Sequence, residues 1–270
     1  MIFEKELNSA INAARKAGAY LRENRGSVGI AQYKDGRKDF ATKQDFGSDK
    51  IIIEAIRAEF PNDFILSEES APEQKGQERM WIIDPLDGTR NYANGLPYFS
   101  VSIGLLQGND PKVGVVYAPC NNDELFHAVR SQGAFLNGQP LKVISPDQDL
   151  ESTIVATGFA YFKGKDLQEA LRIYEMVLNQ ATDVVRFGSA ALDLCHVASG
   201  RLGAYYECGL KPWDLAAGAL IVQEQSGMIS GYDGNELNLF NRANGKFSVD
   251  VLAAKNRKIH SQLQGILSSK

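Results

Sequence analysis

Cysteine, histidine and long hydrophobic runs are scarce in this sequence. The 270 residues include three cysteines and three histidines, and the cysteines lack the paired spacing that zinc sites use. This usage argues against a disulfide scaffold and indicates the reduced thiols of a cytosolic protein. No apolar run approaches the roughly 18 residues of a membrane span. The charged first residues do not resemble a signal peptide, so we expect a cytoplasmic protein that does not enter a membrane.

An excess of positive charge is also absent. The chain has 29 lysines and arginines against 33 aspartates and glutamates, which gives a formal net charge of −4 at pH 7. This balance argues against direct binding of nucleic acid. Hydrophobic residues make up 44% of the chain, which is ordinary for a globular protein. A chain of this length can form one large domain or two moderate ones.

The first half of the sequence predicts two helices followed by a set of strands. Apolar residues at helical spacing indicate helices over 5–23 and from about 45 to 60. Short apolar or alternating runs then predict strands, which lie at 64–66, 81–83, 99–105, 113–117, 125–129 and 134–136. We expect these strands to form an antiparallel sheet that carries the two helices.

The second half of the sequence alternates strands with helices. Its predicted strands lie at 153–156, 183–187, 203–207 and 249–253, and its predicted helices at 167–178, 189–198, 214–225 and 259–266. Such alternation is typical of an α/β unit with a largely parallel sheet. We therefore expect an α+β subdomain over 1–146 and an α/β subdomain over 147–270, with a cleft between them.

The most informative stretch follows the predicted strand at 81–83. Asp84 and Asp87 come directly after it, and Gly88 and Thr89 then turn the chain toward a helix start. Carboxylate oxygens suit a hard cation such as Mg²⁺, and helix-start N–H groups suit an anion such as phosphate. Taken alone, the same pattern also fits a turn in which an aspartate caps a helix and glycine adopts a positive φ.

Two further acids lie at predicted element boundaries. Glu68 follows a short predicted strand, and Asp214 begins a predicted helix. A tryptophan precedes Asp214 directly, and a tryptophan also starts the apolar run that precedes Asp84. Acids at such positions can hold two cations that bind the nucleophile and the leaving oxygen of a phosphate ester. Pro85 stands two residues before Asp87, where phosphatases with an aspartate nucleophile need a second aspartate, so a covalent aspartyl-phosphate is not expected.

Four separated motifs resemble those of the inositol monophosphatase family, whose members are Mg²⁺-dependent, lithium-sensitive phosphatases. The motifs are Phe40–Asp45, Phe64–Ser70, Asp84–Thr89 and Trp213–Gly218, in the family's order. The resemblance runs from about residue 5 to the C-terminus and is strongest to the inositol-1-monophosphatase and bacterial extragenic-suppressor branch. It implies a layered α/β/α/β/α sugar-phosphatase fold and a homodimer.

The resemblance also implies a ligand set for about two to three Mg²⁺ ions. One ion would be held by Glu68, Asp84 and the carbonyl of Leu86, a second by Asp84, Asp87 and Asp214, and a weaker third would lie near Glu68. The catalytic residues implied are Glu68, Asp45 and Thr89, the last two orienting the attacking water. The chain departs from the family at Gln44, where a hydroxyl residue is common, which puts the contacts of Asp45 in doubt.

Substrate-binding residues are implied in both halves of the chain. They are Leu86, Asp87, Gly88, Thr89, Gly188, Ser189, Ala190, Glu207 and Asp214, with the N–H groups of Gly88 and Thr89 at the phosphate. A carboxylate at Glu207 would accept hydrogen bonds from vicinal hydroxyls, as in an inositol ring. We therefore expect a phosphatase for inositol monophosphate or a related polyol or sugar monophosphate.

Other functions remain open at this point. Branches that act on 3′(2′),5′-bisphosphate nucleotides, fructose 1,6-bisphosphate or histidinol phosphate share the metal motifs. The extragenic-suppressor branch also suggests a different class, a regulator that binds the transcription machinery. The histidines at 127, 196 and 260 lie in predicted strands or helices, and we expect them to be structural.

Overall fold

A computed structural model describes residues 2–26, 29–34, 40–70, 78–142, 144, 147–159 and 165–269. Its α-helices are α1 (Glu4–Glu23), α2 (Lys43–Glu59), α3 (Thr89–Ala93), α4 (Lys165–Leu178), α5 (Ala190–Ala198), α6 (Pro212–Glu224) and α7 (Arg257–Leu267). The first nine strands are β1 (Ile30–Tyr33), β2 (Phe40–Thr42), β3 (Phe64–Ser67), β4 (Arg79–Asp87), β5 (Ser100–Gln107), β6 (Asp110–Ala118), β7 (Glu124–Val129), β8 (Ala134–Leu136) and β9 (Gln139–Pro140). The others are β10 (Ile154–Thr157), β11 (Asp183–Val185), β12 (Ala204–Leu210), β13 (Met228–Ser230), β14 (Arg242–Ala243), β15 (Lys246–Phe247) and β16 (Val249–Ala254).

The first large sheet has seven strands in the order β3-β4-β5-β6-β7-β8-β9. Every neighbouring pair is antiparallel, as predicted, except that β3 and β4 run parallel. Helices α1 and α2 cover one face, and their apolar side chains form a core with Trp81, Ile83 and Ile103. The parallel pair places the ends of β3 and β4 at the same edge, so Glu68 and Asp84 emerge close to one another.

The second sheet has five strands in the order β11-β10-β12-β16-β13. The prediction of a largely parallel sheet is wrong here, because only β10 pairs in parallel, with β11 and with β12. Strand β16 is antiparallel to both β12 and β13. The connection from β13 to β16 holds the short β14–β15 hairpin and no crossover helix, so the chain returns antiparallel.

Helices α5 and α6 lie between the two sheets. Their apolar residues form one core with the inner faces of both sheets, including Ile82, Phe126 and Tyr205. Helices α4 and α7 cover the outer face of the second sheet, in a separate core that contains Val177 and Leu263. The layers are therefore α/β/α/β/α, which confirms the predicted fold class.

Several short elements were not predicted from the sequence. They are the β1–β2 hairpin, the one-turn helix over Leu150–Ser152, and strands β9, β13, β14 and β15. The subdomain boundary predicted at residue 146 stays a prediction, since residues 145 and 146 lie outside the described ranges. Within those ranges, no helix has the length and apolarity to cross a membrane.

Candidate active site

A bulge at the end of β4 turns two carboxylates toward one cavity. Side chains three residues apart on a regular strand point to opposite faces of a sheet. Here Asp84 pairs with Ser102 and Asp87 with Ser100, so the β4 segment holds one residue more than its partner. This extra residue is a β-bulge, which re-aims the side chain that follows it. Asp84 and Asp87 therefore line the same cavity.

The cavity at this strand end has a volume of about 300 Å³. It is lined by Phe40, Glu68, Asp84, Leu86, Asp87, Gly88, Thr89, Arg90, Asn91, Leu96, Arg186, Phe187, Gly188 and Asp214. All the residues proposed as metal ligands from the sequence are in this lining. Asp45, Ser189, Ala190 and Glu207 are not in the lining. Asp45 is hydrogen-bonded to Thr89, and the Ser189 hydroxyl and the Ala190 N–H are hydrogen-bonded to Asp87, so three of the four touch residues that are.

Gly88 is required at its position for two reasons. Its φ is +90°, in the left-handed region that favours glycine. A Cβ atom at this residue would also lie 3.0 Å from the carbonyl oxygen of Tyr98 and 3.2 Å from that of Gly188. The backbone of the motif is therefore packed directly against the segment that precedes α5.

Asp45 and Thr89 form a hydrogen-bonded pair at the cavity wall. The hydroxyl of Thr89 lies 2.8 Å from Oδ1 of Asp45 and 2.9 Å from the carbonyl oxygen of Leu86. Thr42 holds the other oxygen, since its backbone N–H donates to Oδ2 of Asp45 at 2.8 Å. These contacts do not involve the side chain at Gln44, so the departure from the family pattern leaves Asp45 in place.

Glu68 is paired with a lysine. The ammonium of Lys34 lies 2.7 Å from Oε1 of Glu68 and 2.6 Å from Oε1 of Glu69. The Lys34 side chain is 23% exposed, so this contact with the site is partly shielded from water. Burial alone would lower the pKa of Lys34, but the two glutamates hold it above its usual range. Residues 35–39, which follow Lys34, lie outside the described ranges.

The other acids are held by backbone or hydroxyl donors. Ser189 donates to Oδ2 of Asp87 at 2.5 Å, and the N–H of Ala191 donates to the same oxygen at 2.8 Å. The N–H of Lys211 donates to Oδ2 of Asp214 at 2.7 Å, and the N–H of Leu86 donates to Oδ1 of Asp84 at 3.0 Å. In the described part of the chain, no three potential ligands are already gathered closely enough to enclose a metal ion.

The buried carboxylates raise one another's pKa values. Burial is the largest cause of the raised pKa of Asp84, which is 1% exposed, followed by the charges of Glu68, Asp87 and Asp214. Burial also raises the pKa of Asp87 to about 6, despite the hydrogen bonds from Ser189 and Ala191. The pKa of Asp214 is raised by burial, then by Glu68 and Asp87. The cavity thus concentrates negative charge, which Lys34, Arg90 and Arg186 balance in part and which bound cations or protons would balance further.

Glu207 lies just outside the cavity lining. The hydroxyl of Tyr205 donates to its Oε2 at 2.6 Å. Burial raises the pKa of Glu207 to about 7, Tyr205 and Arg186 lower it, and Asp87 raises it further. Both Arg186 and Asp87 line the cavity, so the Glu207 carboxyl group lies within electrostatic reach of it.

Five lining residues were not singled out from the sequence: Arg90, Asn91, Leu96, Arg186 and Phe187. The amide of Asn91 donates to the carbonyl oxygens of Tyr98 and Phe187, each at 2.7 Å, and so joins the two halves of the chain. The ring of Phe187 stacks on Tyr98, with centroids 4.8 Å apart. No local pattern marks these residues, because their partners are distant in the sequence.

None of the three histidines lines this cavity. His127 stacks on Phe135 in the first sheet, and His260 contacts the hydroxyl of Ser230 at 2.9 Å. His196 lies 3.2 Å from the hydroxyl of Tyr98 and 3.1 Å from Arg201. Their contacts agree with the structural role expected from the sequence.

Comparison with known proteins places the whole chain in one family. Residues 4–269 match the inositol monophosphatase family. The chain is 44% identical to the Nus factor SuhB of Haemophilus influenzae over 262 residues, which cover 96% of this chain and 95% of the relative. The extragenic suppressor protein suhB of Bartonella henselae matches with a TM-score of 0.88 and 33% identity, covering 98% of this chain and 99% of that one. The inositol monophosphatase of Anabaena matches with a TM-score of 0.83 and 36% identity, covering 99% and 96%. The chain therefore belongs to the inositol monophosphatase family and is a phosphatase that hydrolyses phosphate monoesters.

Proposed function

We propose that this protein hydrolyses inositol monophosphate, or a related polyol or sugar monophosphate, in a reaction that depends on Mg²⁺. The observation that carries the proposal is the grouping of Glu68, Asp84, Asp87 and Asp214 around one cavity. The pKa values of Asp84, Asp87 and Asp214 are raised, and such a group of acids is a poor environment for a phosphate dianion unless cations are bound there. The name of the Anabaena relative, an inositol monophosphatase, supports the choice of substrate.

The donor atoms fit Mg²⁺. All the proposed ligands supply oxygen, from carboxylates or from the Leu86 carbonyl, and hard divalent cations prefer oxygen ligands. Glu68, Asp84 and Leu86 would hold one ion, Asp84, Asp87 and Asp214 a second, and a weaker third would lie near Glu68. When bound, the Mg²⁺ ions would lower the pKa of a water molecule and stabilise the charge that develops on the leaving oxygen.

The chain's own residues then orient the nucleophile. Thr89 has one hydroxyl proton, directed to Asp45 or to the Leu86 carbonyl, so its oxygen lone pairs can accept a hydrogen bond from the attacking water. Asp45 is 1% exposed, and burial raises its pKa although Thr42 and Thr89 donate to it. It can therefore receive a proton through Thr89, while the N–H groups of Gly88 and Thr89 hold the phosphate.

Direct attack by water is supported by the lining of the cavity. The described residues that line it include no serine, cysteine or histidine, and the one threonine, Thr89, has its hydroxyl engaged with Asp45 and the Leu86 carbonyl oxygen. A covalent phosphoryl-enzyme is therefore not part of the proposal. Lithium would inhibit by occupying a Mg²⁺ position, as expected from the family resemblance.

A panel of phosphate esters tests this proposal. Phosphate release is measured with Mg²⁺ for inositol monophosphate, a 3′,5′-bisphosphate nucleotide, fructose 1,6-bisphosphate and histidinol phosphate. The proposal predicts the highest kcat/KM for inositol monophosphate or another polyol monophosphate. A clear preference for a nucleotide or for histidinol phosphate would assign the chain to one of the alternative activities.

A second role in transcription is favoured by a specific observation. The relative that is 44% identical over nearly the full chain is named a Nus factor. We propose that this protein, as a cytoplasmic homodimer, also binds a component of the transcription machinery. Capture of RNA polymerase or an elongation factor by the purified protein would support this role. A purified protein that captures neither would contradict it, and a monomeric protein would contradict the proposed homodimer.

A further inference from the structure

The carboxyl group of Glu207 lies directly against the backbone of Gly158. Strand β10 ends at Thr157, which is the register partner of Tyr206 on the parallel strand β12. A Cβ atom built on Gly158 would lie 1.7 Å from Oε2 of Glu207 and 2.2 Å from Oε1. No side-chain carbon can occupy that position while the carboxyl group stays where it is. The φ of Gly158 is outside the left-handed region, so the need for glycine is steric.

Tyr205 holds the same carboxyl group from its own strand. Residues two apart on a strand share a face of the sheet, and Tyr205 donates its hydroxyl hydrogen to Oε2 of Glu207 at 2.6 Å. The Tyr205 side chain is fully buried, so the hydroxyl has a fixed position. Tyr205 occupies one acceptor site of Oε2, so Oε1 is the oxygen that keeps both lone pairs for a hydroxyl group of a ligand.

We propose that Gly158 and Tyr205 are positioning residues that set the location of the Glu207 carboxyl group and thereby the preference for phosphate esters of polyols. This inference rests on the proposed function and deepens it. Glu207 would meet the organic part of the substrate, whereas the phosphate is held at Gly88 and Thr89. A shift of the carboxyl group should therefore change which ester is preferred and leave the hydrolysis step itself intact.

The test compares inositol monophosphate with p-nitrophenyl phosphate, an ester that has no vicinal hydroxyls. Gly158→Ala keeps Glu207 but forces its carboxyl group to move. We expect the ratio of kcat/KM for the inositol ester to that for the aryl ester to fall about tenfold, mainly through a higher KM. Tyr205→Phe, which adds no atoms, should lower the same ratio about threefold, and it carries the test if Gly158→Ala does not fold.

Gly203→Ala is the matched control. Its new Cβ atom would lie 2.3 Å from Cβ of Thr153, at the opposite end of the same two strands. This variant should lose stability, but the ratio of the two kcat/KM values should stay within about twofold of the wild type. In a Glu207→Ala background, Gly158→Ala should cause no further fall in that ratio, because its effect acts through the carboxyl group.

Two results would overturn the inference while leaving the proposed function intact. One is an equal loss of kcat/KM for both esters in both Gly158→Ala and Tyr205→Phe. The other is a double variant, Gly158→Ala with Glu207→Ala, in which the ratio falls by the full combined effect of the two single variants. If the wild-type protein released phosphate from neither ester, the proposed function itself would be wrong, and this inference with it.

Discussion

Asp87 is held in place by a segment that lies about a hundred residues further along the chain. The hydroxyl of Ser189 and the N–H of Ala191 both donate to its Oδ2 atom. The sequence resemblance assigned Ser189 to the substrate, but in the structure its side chain is 1% exposed and contacts Asp87. We therefore propose that Ser189 acts through Asp87, a proposed metal ligand whose pKa its hydrogen bond lowers.

Ser189→Ala should weaken the binding of Mg²⁺ without abolishing it. The variant removes one hydrogen bond to a buried carboxylate, an interaction of about 1.5–3 kcal/mol, while the Ala191 N–H remains. We expect the Mg²⁺ concentration for half-maximal activity to rise by about tenfold, measured by phosphate release against Mg²⁺. Ser230→Ala, which removes a buried hydroxyl beside His260, is the control. An unchanged Mg²⁺ dependence in Ser189→Ala would refute the supporting role.

The acids of the site could be predicted from sequence, but their supporting residues could not. Asp84 and Asp87 follow an apolar run at close spacing, and Asp214 opens a helix, so local patterns mark them. Lys34 reaches Glu68 across 34 residues, and Asn91 reaches Phe187 across 96. Contacts of this range depend on how the elements pack, which no single stretch of sequence records.

Helix α6 approaches the first sheet unusually closely, and this contact places Asp214. A Cβ atom on Gly104 would lie 2.9 Å from Cβ of Ala216, and one on Gly114 would lie 2.7 Å from the carbonyl oxygen of Ala217. Small residues on both sides therefore let the helix backbone lie on strands β5 and β6. The start of α6, which carries Asp214, is held over the end of β4 as a result.

Gly114→Ala should both destabilise the protein and weaken its response to Mg²⁺. The new methyl group would meet the helix backbone, which cannot rotate away as a side chain can, so we expect a cost of about 1–3 kcal/mol in the free energy of unfolding. Urea denaturation measures this cost. Gly265→Ala is the control, because a Cβ atom there would have no neighbour within 4 Å. Equal stability of the two variants would show that α6 can move away from the sheet at no cost.

At the level of elements, the direction of a strand was harder to predict than its position. The alternation of strands and helices in the second half correctly indicated β10, β11, β12 and β16. The same alternation also led to the prediction of a largely parallel sheet. That prediction did not take into account the stretch between α6 and β16. That stretch is made of short strands and turns, so β16 returns antiparallel.

The molecule as a whole is acidic, and part of that charge is buried at the site. The pKa of Asp87 is raised from 3.8 to about 6, and those of Asp84 and Asp214 are also raised. A carboxyl group with a raised pKa in the folded state costs no stability below its unfolded pKa. Its cost to the free energy of unfolding grows as the pH rises from the unfolded pKa to the folded pKa and is constant above that. For Asp87 this window lies between 3.8 and about 6.

Mg²⁺ should therefore stabilise the protein more at about pH 7.5 than at about pH 5. At the higher pH the carboxylates are ionised and the cation offsets their repulsion, whereas at the lower pH protons compete with it. Thermal unfolding with and without Mg²⁺ at the two pH values measures the difference in Tm. Asp84→Asn should reduce the shift at pH 7.5. A Mg²⁺-induced shift that is as large at pH 5 would show that the ion binds elsewhere.

The most direct test of the central claim is phosphate release from inositol monophosphate as a function of Mg²⁺, in the wild-type protein and in Asp84→Asn. If the four carboxylates form the proposed metal site, the wild-type rate rises with Mg²⁺ and vanishes with chelator. Asp84→Asn should then lose about 3–5 kcal/mol of transition-state stabilisation, a fall of at least about a hundredfold in kcat/KM. A wild-type rate that persists in chelator, or a variant as active as the wild type, would contradict the account.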